Sequence, residues 1–141
     1  IYKVYKGMII IMKKYIFLFL CGGFVYCMLE ILTRGFSHIS MLVAGGLSFV
    51  IVGSICELLD KKISIWLMMF FGMVVITVIE YISGLIVNKY LHLNVWDYSM
   101  YSFNIDGQVC LWFSLIWYAL SYVIIKVYHI LYKWFDRYST V

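Results

Sequence analysis

Two glutamates stand inside runs of the chain that are otherwise apolar, and they are the residues whose chemistry most needs explaining. Glu30 interrupts 15–32 and Glu80 interrupts 63–87. A carboxylate in a spanning helix costs several kcal/mol, on the order of 3, unless it is paired, protonated or hydrated. Glu30 has Arg34 four residues on, the spacing at which an acid and a following base meet on one helix face. Glu80 has no base within a helical turn; the nearest in sequence is Lys89. A partner for Glu80 must come from another helix or loop, so it is the stronger candidate for a binding role. Thr77 and Gly84 flank it on the same face.

A third set of polar groups lies in 88–108, the one long polar connection. Trp96-Asp97-Tyr98-Ser99 and Phe103-Asn104-Ile105-Asp106-Gly107-Gln108 gather donors, acceptors and a glycine turn ahead of an apolar run. Tyrosine and tryptophan favour membrane interfaces, which accounts for Tyr90 and Tyr101 as anchors. Asp97, Ser99 and Asn104 invite either helix capping or ligand contact. The candidate site for substrate or ion binding is therefore Glu80, Glu30, Arg34, Trp96, Asp97, Tyr98, Ser99, Asn104 and Gln108. Energetics predicts that 96–108 folds back over the bundle, with Trp96, Tyr98, Ser99, Asn104 or Gln108 donating to Glu80. Gly107 is placed to turn the chain into the next helix.

Other chemistry finds no footing. Cys21, Cys27, Cys56 and Cys110 form no Cys-x-x-Cys pair, so neither a disulfide framework nor a metal is expected. His38, His92 and His129 read as surface residues. There is no phosphate-cradling glycine loop, and no serine or cysteine nucleophile pattern. The chain is not expected to be an enzyme, to hydrolyse ATP itself or to carry a cofactor. Ser114 and Ser121 share one stripe of a helix and read as helix-contact residues.

The elements that position these groups follow from composition. Of 141 residues 65% are hydrophobic, 20% aromatic and only 13% charged, and the mean hydropathy is +0.98. A soluble domain of this size cannot hide that much apolar surface. A soluble enzyme, a nucleic-acid-binding domain and a disordered linker are excluded, and the solvent of most of the chain is the lipid bilayer. Four apolar stretches are long enough to span it, about 20 residues being required. Backbone groups in lipid must pair within their own segment, and no stretch alternates at period two, so these are helices. They are expected at about 15–33, 39–57, 63–87 and 108–131, as one membrane domain. The second, rich in glycine with Ala44 and Ser48 four apart, is expected at the bundle centre.

Charge sets the expected orientation. Lys3, Lys6, Lys13, Lys14, Lys61, Lys62, Lys126, Lys133 and Arg137 fall on one side, against Arg34 and Lys89 on the other. The basic side faces the cytoplasm. Both termini are then inside, residues 1–14 form a cytoplasmic segment, and 88–108 lies outside. The bias argues against dual insertion. Glu30 and Glu80 come out roughly 22 and 25 Å from the cytoplasmic ends of their helices, at about 1.5 Å per residue. Met12-Lys13-Lys14 is a typical membrane-protein opening, so Met8 or Met12 is the expected natural start, with no cleaved leader.

Several of these residues together resemble a known family. Glu30 with Arg34-Gly35, Thr77-x-x-Glu80-x-x-x-Gly84, Trp96-Asp97-Tyr98-Ser99, Phe103-Asn104-Ile105-x-Gly107-Gln108-x-Cys110-Leu111 and Ser114-x-x-Trp117 look like the bacterial membrane proteins called putative ABC-transporter type IV, or CmpB-like. The resemblance covers roughly residues 19–132. Ser102 stands where many members have proline, and Tyr118 where many have glycine. The resemblance implies a multi-pass protein of the bacterial inner membrane with a permease-like role, and a separate ATPase subunit or self-association as partner. Two other readings stay open: a non-transporting scaffold or sensor, and a small proton-coupled multidrug-type antiporter, which also uses four helices and a membrane glutamate.

Overall fold

A computed structural model of the chain describes residues 2–59 and 62–139. Asp60 and Lys61, in the expected cytoplasmic connection, lie outside the described residues, as does the side chain of Lys3. Four helices follow in order: α1, Tyr2–Arg34; α2, Ile39–Leu59; α3, Ile65–Gly84; and α4, Leu111–Ser139. A π-helical turn, Leu85–Tyr90, prolongs α3. Counting that turn, each helix is long and apolar enough to cross a membrane. The fold is an all-α-class, multi-pass membrane bundle with one short hairpin, as the composition leads one to expect.

Local sequence sets most of the ends. Ser64 caps α3, its hydroxyl accepting from the Leu67 N–H, which satisfies one orphan donor of the first turn. Gly35, at φ +79°, stops α1, and its N–H returns to the Ile31 carbonyl. Arg34 sits in the last turn of α1, where a cation complements the negative helix end.

Two ends differ from expectation. α1 starts at Tyr2 and not near residue 15, so much of the basic opening is helical. Lys14 is buried, its ammonium 2.7 Å from the Asp136 carboxylate and over the Tyr132 ring. A carboxylate and a ring face together replace the water that the ammonium gives up. That contact ties α1 to α4, which runs on past residue 131 to carry Asp136. α4 also starts later than residue 108. Residues 104–110 form a small antiparallel hairpin of β1, Asn104–Ile105, and β2, Val109–Cys110, which engages the backbone in strand pairing.

α2 packs against all three other helices and is the most buried of the four, the central place its small residues predict. α1 and α2 meet at reciprocal glycines: Gly22 lies against Phe49, and Gly45 against Tyr26. A Cβ at Gly45 would stand 2.5 Å from that of Tyr26, so the helices approach as closely as they do only because it is absent. α3 and α4 form the second hairpin. At one end of the bundle lie Lys14–Asp136 and the Glu57–His129 contact of 2.9 Å. At the other lie Glu30, Arg34, Glu80 and the 91–110 connection.

Candidate functional site

α3 and α4 meet along a polar seam whose spacing is the same on both. Thr77 donates to the Ser114 hydroxyl at 3.0 Å. Three residues on in each helix, the Trp117 indole N–H donates to Glu80 Oε2 at 2.9 Å. Ser114 and Ser121 also donate back to the carbonyls of Cys110 and Trp117, and Ser121 packs on Gly72. Both serines are thus helix-contact residues. The other oxygen of Glu80, Oε1, accepts from the Tyr98 hydroxyl at 2.9 Å. Glu80 is buried, and both its oxygens are held by neutral donors.

Tyr98 reaches Glu80 because the connection is folded tightly onto the bundle. Its ring stacks on Phe113 of α4, with centroids 4.5 Å apart. Its N–H donates to the Gly107 carbonyl at 2.7 Å. Burial, with the Glu80 charge beside it, raises the Tyr98 phenol above its ordinary value, so this group stays a donor. Asp97 closes a turn by accepting from the Ser99 N–H at 2.8 Å and its hydroxyl at 2.9 Å. Those bonds, the N–H first, hold the Asp97 carboxyl below its ordinary value. Asn104 donates to the Tyr101 carbonyl and accepts from the Gly107 N–H. Gly107 has φ +69°, and a Cβ there would lie 2.6 Å from Asp97 Oδ1.

A buried amide pair locks this connection to the end of α3. Asn88, in the π turn, donates to Gln108 Oε1 at 2.8 Å and accepts from the Val95 N–H at 2.7 Å. Gln108 donates onward to the Asp106 carbonyl and lies against Gly84. Trp96 donates its indole N–H to the Gln108 carbonyl at 3.0 Å. Tyr81 of α3 donates to Asp106 from outside. Each of these side chains fills the role its inventory allows, so the loop is held by bonds.

The residues singled out in the sequence therefore divide. Among the described residues, Tyr98 is the one loop group that bonds Glu80. Trp96, Asp97, Ser99, Asn104 and Gln108 make the frame that holds Tyr98 there. Glu30 and Arg34 form the expected ion pair, four residues apart on α1. Arg34 also reaches the Val95 carbonyl at 3.5 Å, which ties the connection to α1. Trp117, Asn88 and Tyr26 were not among the expected site residues. Thr77-x-x-Glu80 and Ser114-x-x-Trp117 carry one spacing, and that repeated offset is the signal that pairs α3 with α4. His38 caps the start of α2 through Ser40.

A cavity of about 290 Å³ lies beside Glu80, lined by all four helices and Trp96. Its lining is apolar apart from Glu80, Ser48, Ser83 and the amphipathic Tyr26, Trp96 and Trp117. The Tyr26 and Trp117 rings lie 5.9 Å apart within it. Among the described residues, no group of three or more His, Cys, Asp or Glu side chains converges. The chemistry on offer is that of one oriented carboxylate in an aromatic, water-poor surround.

No curated protein and no solved structure matches this chain. The model of the family described as putative ABC-transporter type IV matches residues 15–140, nearly the whole bundle with its Glu80 site and its loop. The chain belongs to that family of multi-pass membrane proteins.

Proposed function

We propose that the chain is a permease-like membrane subunit, with Glu80 as the binding centre for the species it passes and the 91–110 connection as its outer cap. One observation carries this reading. A buried carboxylate, held at both oxygens by Trp117 and Tyr98, faces an open apolar cavity. Intramembrane ionisable residues of this kind mark substrate or ion pathways by default. The basic excess at the opposite end orients the bundle with both termini in the cytoplasm of the bacterial inner membrane. A separate ATPase subunit supplies the energy, as the family's description suggests. The subunit itself performs no covalent chemistry.

Accessibility labelling tests the reading. In a background lacking the native cysteines, Asn94→Cys should react with a membrane-impermeant thiol reagent from the outer face alone. Ser83→Cys, inside the cavity, should react from both faces, since a permease exposes its site to each side in turn. Asn94→Cys reacting from the cytoplasmic face would overturn the orientation. Ser83→Cys reacting from one face or neither would favour a scaffold over a permease.

A further inference from the structure

We propose that the cavity binds a single-chain cationic amphiphile, its ammonium head at Glu80 and its hydrocarbon chain laid along α4. The inference rests on the permease reading and names the substrate class of that site.

Shape is the first argument. On α4 the lining runs from Trp117 to Leu131, roughly 21 Å at about 1.5 Å per residue. The void is a long slot, and its walls are mostly apolar. Val25 of α1 and Val123 of α4 line it and are also exposed on the outside of the bundle. The slot therefore opens sideways, into what is lipid for a spanning helix, and a chain can enter without crossing water.

Charge is the second. Glu80 stands near one end of the slot, beside Trp117. Arg34 is engaged by Glu30 on its own helix. Trp117 and Tyr98 donate to Glu80 but carry no charge to offset it. Among the described residues no cation bonds Glu80, and each carboxylate oxygen keeps acceptor capacity. Tyr26, Trp96 and Trp117 also line the slot, and aromatic rings attract cations. An anionic head would meet like charge there, and a neutral one would bring no opposite charge to the carboxylate. A long tail with a cationic head fits both the wall and the end.

The test uses the full chain, immobilised in maltoside micelles, and tritiated dodecyltrimethylammonium in a scintillation proximity assay. Saturable binding is expected. Unlabelled dodecyltrimethylammonium should displace it, tetramethylammonium at least tenfold more weakly, and dodecyl sulfate or dodecanol not at all at equal concentration. Glu80→Gln should weaken binding at least tenfold. Val123→Trp, a rim change that leaves Glu80 and its donors intact, should weaken it at least threefold. No saturable binding, equal displacement by dodecyl sulfate, or unchanged affinity in Glu80→Gln would each overturn the proposal. The wild-type competition series decides the matter even if Glu80→Gln fails to fold. Absent binding with Ser83→Cys labelled from both faces would remove this substrate class and leave the permease. Binding with one-face labelling would keep the site and remove the permease.

Discussion

Glu80 depends on two neutral donors, and each should carry a measurable share of its cost. A hydrogen bond to a charged group contributes about 1.5–3 kcal/mol, and a buried acceptor that loses its donor keeps its desolvation penalty. Trp117→Phe and Tyr98→Phe should each lower unfolding stability in detergent by that amount. Thr77→Val, on the same seam, should cost less, because both partners there are uncharged hydroxyls. Asp97 supplies a pH signature. Its carboxyl is held low in the folded loop, so the folded loop binds fewer protons than the open one. The stabilisation is complete above the ordinary aspartate value of about 3.9 and is lost as pH falls through the lowered value. Amide exchange in 96–107 should therefore accelerate below about pH 4, and Asp97→Asn should remove that dependence. Glu80 was legible in the sequence because a lone carboxylate in an apolar run is too expensive to be incidental. Trp117 was not, because tryptophan is common in membrane helices and its role appears only once α3 and α4 are in register.

The 91–110 connection behaves as an element in its own right, although it has almost no regular structure. Asn88 and Gln108 anchor its ends, and Gly107 sets its turn. A residue other than glycine in the left-handed region costs on the order of 1–3 kcal/mol, and here a Cβ would also crowd Asp97. Gly107→Ala should free the loop by at least that much, read as faster cleavage by added protease of the detergent-solubilised chain, with the helices still folded. The four helices were legible, since length and hydropathy suffice for a spanning segment. Their ends were less so. α1 runs back past Lys14 to Tyr2, and Lys14 pairs with Asp136 across the whole chain, a pairing that no local pattern announces. The α4 start depends on a two-residue strand pair too short to have a period of its own. The return of the loop onto Glu80 was legible from energetics, but which of its five candidate donors would reach was not. Trp96, Ser99, Asn104 and Gln108 are spent on the loop's own backbone or on Asp97, and that leaves Tyr98 free to bond outward.

At the scale of the whole molecule, two ties close the bundle at opposite ends. Lys14–Asp136 joins the first and last helices at one end. Glu80, reached from both α4 and the loop, joins α3 to everything beyond it at the other. The first tie is asymmetric, because the Lys14 side chain is 8% exposed and that of Asp136 54%. Asp136→Asn leaves a buried ammonium without its anion and should cost about 1.5–3 kcal/mol. Lys14→Met leaves a carboxylate that water can solvate and an apolar side chain in a buried place, and should cost less. Thermal unfolding of the two variants in one detergent would rank them. The second tie holds the central claim, that the 91–110 loop and Glu80 act as one unit. A double-mutant cycle of Tyr98→Phe and Glu80→Gln tests it most directly, read by hydrogen exchange at the Val95 amide, which the folded loop buries against Asn88. Residues in one network show interaction energies of about 0.5–3 kcal/mol, so a coupling of at least about 1 kcal/mol is predicted. Additive effects, with no coupling beyond roughly 0.3 kcal/mol, would contradict the account.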